Sequence, residues 1–187
     1  MSELKPLTAL GASTPRSDLH GGVTLTENTG TALASFAARS GSEAKAASTL
    51  EGFVGAKPPL PGLSSTGGTI GALWIGPEQW MVTAPHDTHE DLAAQLKAKA
   101  GDAASVTEQN DAWCRLDLEG PDLADVFERL CPVNLRAQTG GEATRTTIEH
   151  LGCILVCHGA QSASVLGPRS AAGSLHHALL TALRSAL

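Results

Sequence analysis

The sequence predicts an α+β chain assembled from ferredoxin-like split β-α-β units, with antiparallel sheets backed by helices. Three observations carry this reading. Short apolar segments punctuated by glycine and proline alternate with amphipathic stretches of helical length. The segment AWCRLDL puts Cys114, Leu116 and Leu118 on one face and Trp113, Arg115 and Asp117 on the other, the period of a half-buried strand. The elements run β-α-β-β-α-β and then β-α-β-β-β-α. The first six match the split β-α-β arrangement and the second six resemble a variant of it.

Residues 1–24 lack sustained periodicity and contain Gly11, Pro15, Gly21 and Gly22, which predicts an extended or disordered N-terminal arm. Residues 25–187 then form one domain with two ferredoxin-like halves, about 25–110 and 111–187. Thr31 to Arg39, around Phe36, reads as a strand. Ser42 to Val54 reads as a helix with Leu50, Phe53 and Val54 on one face, and Ser40 and Glu43 stand at capping-box spacing. Gly55 and the run Lys57-Pro58-Pro59-Leu60-Pro61 stop it.

Beyond a Gly/Ser loop, TIGALWI and WMVT flank GPEQ, which predicts a hairpin. DTHEDLAAQLKAKAG has acids in its first turn, lysines in its last turns and Gly101 after them, the charge order a helix dipole favours. A strand near Ser105–Glu108 follows. Gly120-Pro121 opens a helix in which Leu123, Val126, Phe127 and Leu130 fall at i, i+3, i+4 and i+7, and Pro132 closes it. TRTTIEH and CILVC read as strands joined at Leu151-Gly152. The second is apolar throughout, as a strand covered on both faces would be. A strand around Ser164–Leu166 follows the His158-Gly159 turn. The last helix starts near Ser170, with Leu175, Leu179 and Leu183 four apart.

Composition excludes some functions. A formal net charge of −6, 3% aromatic residues and no tyrosine argue against nucleic acid and anionic membrane surfaces, which need clustered cations or stacking platforms. No apolar run approaches the roughly 18 residues of a membrane span, and MSELKPLTALG lacks the core of a signal peptide. Four irregularly spaced cysteines then read as buried thiols in a cytoplasmic protein.

Candidate chemistry fails mostly on geometry. Cys153 and Cys157, four positions apart on a strand, stand about 13 Å apart, too far for two zinc–sulfur bonds, and His158 points to the opposite face. His86 and His89, with Asp87, Glu90 and Asp91, fit caps and dipole complements better than a metal site. His176 and His177 are adjacent on a helix, about 100° apart, so they cannot face one target together. There is no Gly-x-Ser-x-Gly elbow, and GLSSTGGTIG lacks both the P-loop lysine and the dinucleotide spacing. No spacing nominates a carboxylate pair. No catalytic, cofactor-binding or metal residue is therefore nominated on this chain.

Several stretches resemble a known family. GALWIGPEQWMV, with Trp74, Gly76, Pro77 and Trp80, resembles the tryptophan–Gly-Pro–tryptophan hairpin of the gamma subunits of heterotetrameric sarcosine oxidase. AWCRLDLEGPDLADVFERLCPVNL, TRTTIEHLGCIL and Pro168-Arg169-Ser170 resemble later blocks of that subunit in the same order. The resemblance runs from about Thr24 to the C-terminus, and LEGPDLADVFERL is also similar to the wider superfamily of the glycine-cleavage T-protein.

The resemblance implies a T-protein-like fold and membership of a cytoplasmic complex that oxidises sarcosine to glycine. Oxygen becomes hydrogen peroxide, and the methyl group passes to tetrahydrofolate or leaves as formaldehyde. FAD, FMN, NAD and tetrahydrofolate belong to the alpha and beta subunits and zinc to the delta subunit. The gamma subunit carries no cofactor and packs chiefly on the large alpha subunit. Interface candidates are Trp74, Trp80, Trp113, His176 and His177, tryptophan being enriched at interfaces. Packing of Trp74 and Trp80 into their own sheet is the other reading. Two departures, Ala171 in place of a bulkier residue and an Ala-rich first half, leave room for a different N-methylated amine. The alternative is a free-standing folate-binding aminomethyltransferase-like protein, for whose full folate-binding barrel the chain is short.

Overall fold

The structure, a computed structural model, describes residues 6–187. In chain order the first elements are β1 (Ser17–His20), β2 (Val23–Asn28), β3 (Thr31–Ala38), α1 (Glu43–Val54), β4 (Ser64–Thr66), β5 (Gly71–Gly76) and β6 (Gln79–Pro85). After them come α2 (Leu92–Ala100), β7 (Ala104–Glu108), β8 (Trp113–Glu119), α3 (Leu123–Phe127), β9 (Ala143–Ile148), β10 (Leu151–Gly159), β11 (Ser162–Pro168) and α4 (Ala172–Ala186). They form two units. Unit 1 joins residues up to Thr29 with Ala112–Gly140 and Thr144–Leu187; unit 2 holds Gly30–Asp111 and Gly141–Ala143.

Unit 2 has a five-stranded antiparallel sheet in the order β4-β5-β6-β3-β7. Helices α1 and α2 pack on it through Ala46, Leu50, Val54, Leu92 and Leu96, which meet Ala32, Ala34, Phe36, Ala72, Trp80 and Val82. Amphipathic spacing fixes that packing, since Ala46, Leu50 and Val54 recur every four residues. α1 ends on Gly55 in the left-handed conformation, whose N–H bonds the Glu51 carbonyl. Its N-terminus differs from the capping box expected. Ser42 is the N-cap residue, and the Glu43 carboxylate accepts the Gly41 N–H at 3.0 Å instead of reaching back to Ser40. In the Gly/Ser loop, a Cβ on Gly67 would lie 2.0 Å from the Val54 carbonyl oxygen, so the chain passes the end of α1 only without a side chain there.

Unit 1 has a six-stranded sheet in the order β1-β2-β8-β11-β10-β9. Alternate residues of β2, β8, β10 and β11 (Val23 and Leu25, Cys114 to Leu118, Cys153 to Cys157, Ala163 and Val165) join the core that α3 and α4 complete. On the opposite face Ile154, Val156 and Leu166 are also buried, as expected for an apolar mid-sheet strand. Leu175, Leu179 and Leu183 of α4 are fully buried.

The two units share one topology. β9-β10-β11-β8-β2 of unit 1 corresponds to β4-β5-β6-β3-β7 of unit 2. In unit 2 the strand after the second helix is β7. In unit 1 that place is taken by β2, which precedes everything else in the pattern, so unit 1 is the same fold circularly permuted. The last residue of the chain meets the β1–β2 turn accordingly: a Cβ on Gly21 would lie 2.3 Å from that of Leu187.

The structure corrects four sequence expectations. The stretch read as an arm contains β1 and part of β2, because Gly21 and Gly22 (φ 57° and 80°) supply the two left-handed residues of a tight hairpin with His20 paired to Val23. Buried Glu27 then ties down the preceding segment, accepting the Leu10 and Arg16 N–H groups at 2.9 and 3.3 Å. The expected halves 25–110 and 111–187 are interleaved, since β2 pairs with β8. α3 spans only Leu123–Phe127: Asp122 is left-handed (φ 55°), and beyond Val126 bonds such as Leu130 N–H to Phe127 C=O close shorter turns. The β9–β10 turn falls on Glu149 and His150 (φ 48° and 65°), with Gly152 inside β10.

Candidate functional site

A polar constellation lies on the sheet face of unit 1 that carries Trp113, Arg115 and Asp117. Antiparallel pairing sets Ser164 of β11 directly opposite Asp117, and Thr26 of β2 flanks it on the other side. Asp117 accepts the Ser164 hydroxyl at 2.6 Å, the Arg115 Nε–H at 2.7 Å and the Asn28 Nδ2–H at 2.7 Å. His158, at the β10 bulge, lies with Nε2 2.7 Å from the Ser164 Oγ.

The order of this chain decides its chemistry. A carboxylate only accepts, so Ser164 gives its one hydrogen to Asp117, and His158 Nε2 must donate to the serine oxygen. A hydrolytic triad needs the reverse, with the imidazole receiving the hydroxyl proton. Ser164 is also only 1% exposed, out of reach of a substrate. The arrangement clamps four strands together. Partial burial of the His158 ring, and next the Arg115 cation, hold its pKa below the ordinary histidine value.

The interface candidates are divided between the units, Trp74 and Trp80 in unit 2 and Trp113, His176 and His177 in unit 1. Trp80 is buried in the core of unit 2, its ring 6.3 Å from Phe36 and its Nε1–H bonded to the Pro59 carbonyl at 3.1 Å. That removes it from any partner-facing set, because its surface is already spent. Trp74, its cross-strand neighbour, is half-buried against the same core. His176 is buried and shares Asp18 with Arg16: its Nε2 is 2.9 Å from the Asp18 carboxylate, which Arg16 bonds at 2.8 Å. The Arg16 bond holds the Asp18 carboxyl below its usual range; burial opposes it, and His176 adds to it. His177 faces outward into a 760 Å³ groove with Ser174, Thr181, Arg129 and Glu149, so the two histidines do face different ways. Trp113, half-buried, lines a separate 310 Å³ groove with Arg145, Thr146, Thr147 and Gly152.

The thiol and histidine candidates have ordinary surroundings within their own units. Cys153 and Cys157 lie in the core of unit 1, where burial pushes the Cys153 thiol up to about 11. His89 Nδ1 is 2.8 Å from the Thr88 hydroxyl. Among the described residues no group of three His, Cys, Asp or Glu side chains could hold a metal ion, and no helix is long and apolar enough to cross a membrane.

The sequence reading passed over two features. One is the Asn28–Asp117–Ser164–His158 chain. The other is a loop at Leu60–Leu63, where Leu60 is 69% and Leu63 40% exposed; its signal was the Pro-Pro-Leu-Pro run, read only as a helix stop.

The fold is that of the T-protein-like proteins. The chain matches a chain in the structure of heterotetrameric sarcosine oxidase from Corynebacterium sp. U-96 in complex with pyrrole 2-carboxylate, with a TM-score of 0.77 and 24% identity, covering 90% of this chain and 87% of that one. It also matches the glycine cleavage system aminomethyltransferase T from Bartonella henselae, with a TM-score of 0.62 and 15% identity over 86% of this chain but 46% of that one. No protein-family model and no curated protein sequence matches it.

Proposed function

We propose that this chain is the gamma-type, non-catalytic subunit of a heterotetrameric sarcosine oxidase, packed chiefly against the large alpha subunit. The assembly would demethylate sarcosine to glycine, reduce oxygen to hydrogen peroxide and pass the methyl carbon to tetrahydrofolate or release it as formaldehyde. FAD, FMN, NAD, tetrahydrofolate and zinc would sit on the partner subunits. Both the cytoplasmic location and the choice of sarcosine over another N-methylated amine belong to the same proposal.

One observation supports this reading above the alternative: the match covers most of both chains. The fold accounts for 87% of the chain it matches in the oxidase but only 46% of the aminomethyltransferase. The clamp order at Ser164 also favours a structural role for the most enzyme-like cluster.

Co-expression with the alpha, beta and delta subunits tests it. The expected outcome is a complex with this chain in one-to-one ratio to the large subunit, turning over sarcosine with hydrogen peroxide release. Failure to co-purify would overturn the proposal. Calorimetry of the isolated chain with tetrahydrofolate should give no heat of binding; micromolar affinity would favour the aminomethyltransferase-like alternative.

A further inference from the structure

We infer that the groove between Trp113 and Arg145 in unit 1 is a binding site for a small apolar monocarboxylate. This goes beyond the proposed function, because it rests on the side chains of unit 1 alone.

Strand register makes the groove. Trp113 pairs with Pro168 and Arg115 with Leu166 across β8 and β11, and Leu166 pairs with Ile154 across β11 and β10. Two residues back along β10, Gly152 comes level with Pro168, so Trp113, Pro168 and Gly152 share one row and one face of the sheet. In the next row Leu166 and Ile154 are buried. At Gly152 the side chain is missing, and a Cβ built there would meet nothing within 4 Å. The gap lies in a groove of 310 Å³ lined by Trp113, Arg145, Thr146, Thr147, Gly152 and Cys153, all in unit 1. That is room for about ten water-sized groups, which suits a small molecule rather than a strand or a helix.

The lining selects charge. Arg145, Thr146, Thr147 and the Trp113 indole all bring hydrogen-bond donors, and no acidic residue lines the groove on a chain of net charge −6. One cation suits one negative charge, whereas a phosphate dianion would be left half neutralised. The planar guanidinium matches the two oxygens of a carboxylate, and the indole covers an apolar body beside it. The larger groove along α4 makes no such selection, since Glu149 lines it together with Arg129.

A second observation falls on the same wall. Thr146 lines the groove, and its hydroxyl oxygen is buried without a hydrogen-bond partner. Such an orphan in a folded chain calls for a partner from outside it, and the groove is where one can enter.

The test titrates the full chain with benzoate and follows the Trp113 indole N–H by NMR, its signal assigned by its loss in Trp113→Phe. The expected result is a saturable shift in the millimolar range or tighter, with benzyl alcohol and inorganic phosphate about tenfold weaker or more. Arg145→Gln should weaken benzoate by about tenfold. Gly152→Val should abolish binding at an unchanged melting temperature, because a β-branched residue suits a strand and its Cβ meets nothing of the fold. If Arg145→Gln proves unstable, Gly152→Val carries the prediction alone. A benzoate response that never saturates, or full affinity in Gly152→Val, would overturn the site. Equal binding of benzyl alcohol or of phosphate would overturn the choice of a monocarboxylate.

Discussion

Units 1 and 2 have the same strand order but very different cores. In unit 2 eight of the fifteen buried core residues are alanine, among them Ala32, Ala34, Ala46 and Ala104, and the volume is filled by a few large side chains led by Phe36 and Trp80. In unit 1 only four of twenty-three are alanine, and leucines, valines and Phe127 share the packing. One topology can thus be stabilised by a concentrated or a distributed core. The concentrated version makes single residues decisive, because alanine neighbours have no rotamers with which to refill a cavity.

Trp80→Ala should therefore have the largest effect. It opens a cavity and strips the Pro59 carbonyl of its donor, for an expected loss of about 4 kcal/mol in chemical denaturation. Hydrogen exchange should show the β3 and α1 amides losing protection before those of β8 and α4. Leu116→Ala, in the distributed core, should cost about 2–3 kcal/mol and loosen unit 1 instead. Equal and uniform loss of protection in the two variants would erase the distinction.

Smaller effects probe the clamp and the turns. Ser164→Ala removes a donor from Asp117 and the acceptor of His158, and should cost about 1–2 kcal/mol in denaturant melts. The depressed pKa of His158 fixes a sign. The unfolded chain binds the proton first, so stability should fall as pH is lowered through about 6.5 towards the folded value and level off below it. His158→Gln should reduce that slope on the acid side of about pH 6.5 in thermal melts. The smallest change expected is a gain. Glu149 and His150 occupy left-handed positions without glycine, so Glu149→Asn with His150→Gly should raise stability by about 1 kcal/mol.

What the sequence disclosed depended on distance along the chain. β8 was legible from strict alternation alone, α1, α4 and the Trp74–Trp80 hairpin from local periodicity and turn residues, and α2 from its closing lysines and Gly101, although it starts at Leu92, so the acids expected in its first turn precede the helix. The N-terminal hairpin was missed although Gly21-Gly22 is a standard turn pair, because Glu27 breaks the apolar alternation of Val23 and Leu25. The β9–β10 turn was misplaced because its left-handed residues are Glu149 and His150, while Gly152 offered a false signal. The permutation and the Asp117 clamp were out of reach. They join strands 89 and 47 residues apart, and no local pattern encodes which distant strands pair.

The central claim, that this chain serves an assembly through its surface and not through chemistry of its own, is tested most directly by mass measurement of the co-expressed oxidase with and without it. The account predicts one copy per large subunit when it is present, and no sarcosine turnover by the chain alone. A monomer that stays apart from the other subunits, or turnover by the isolated chain, would contradict it.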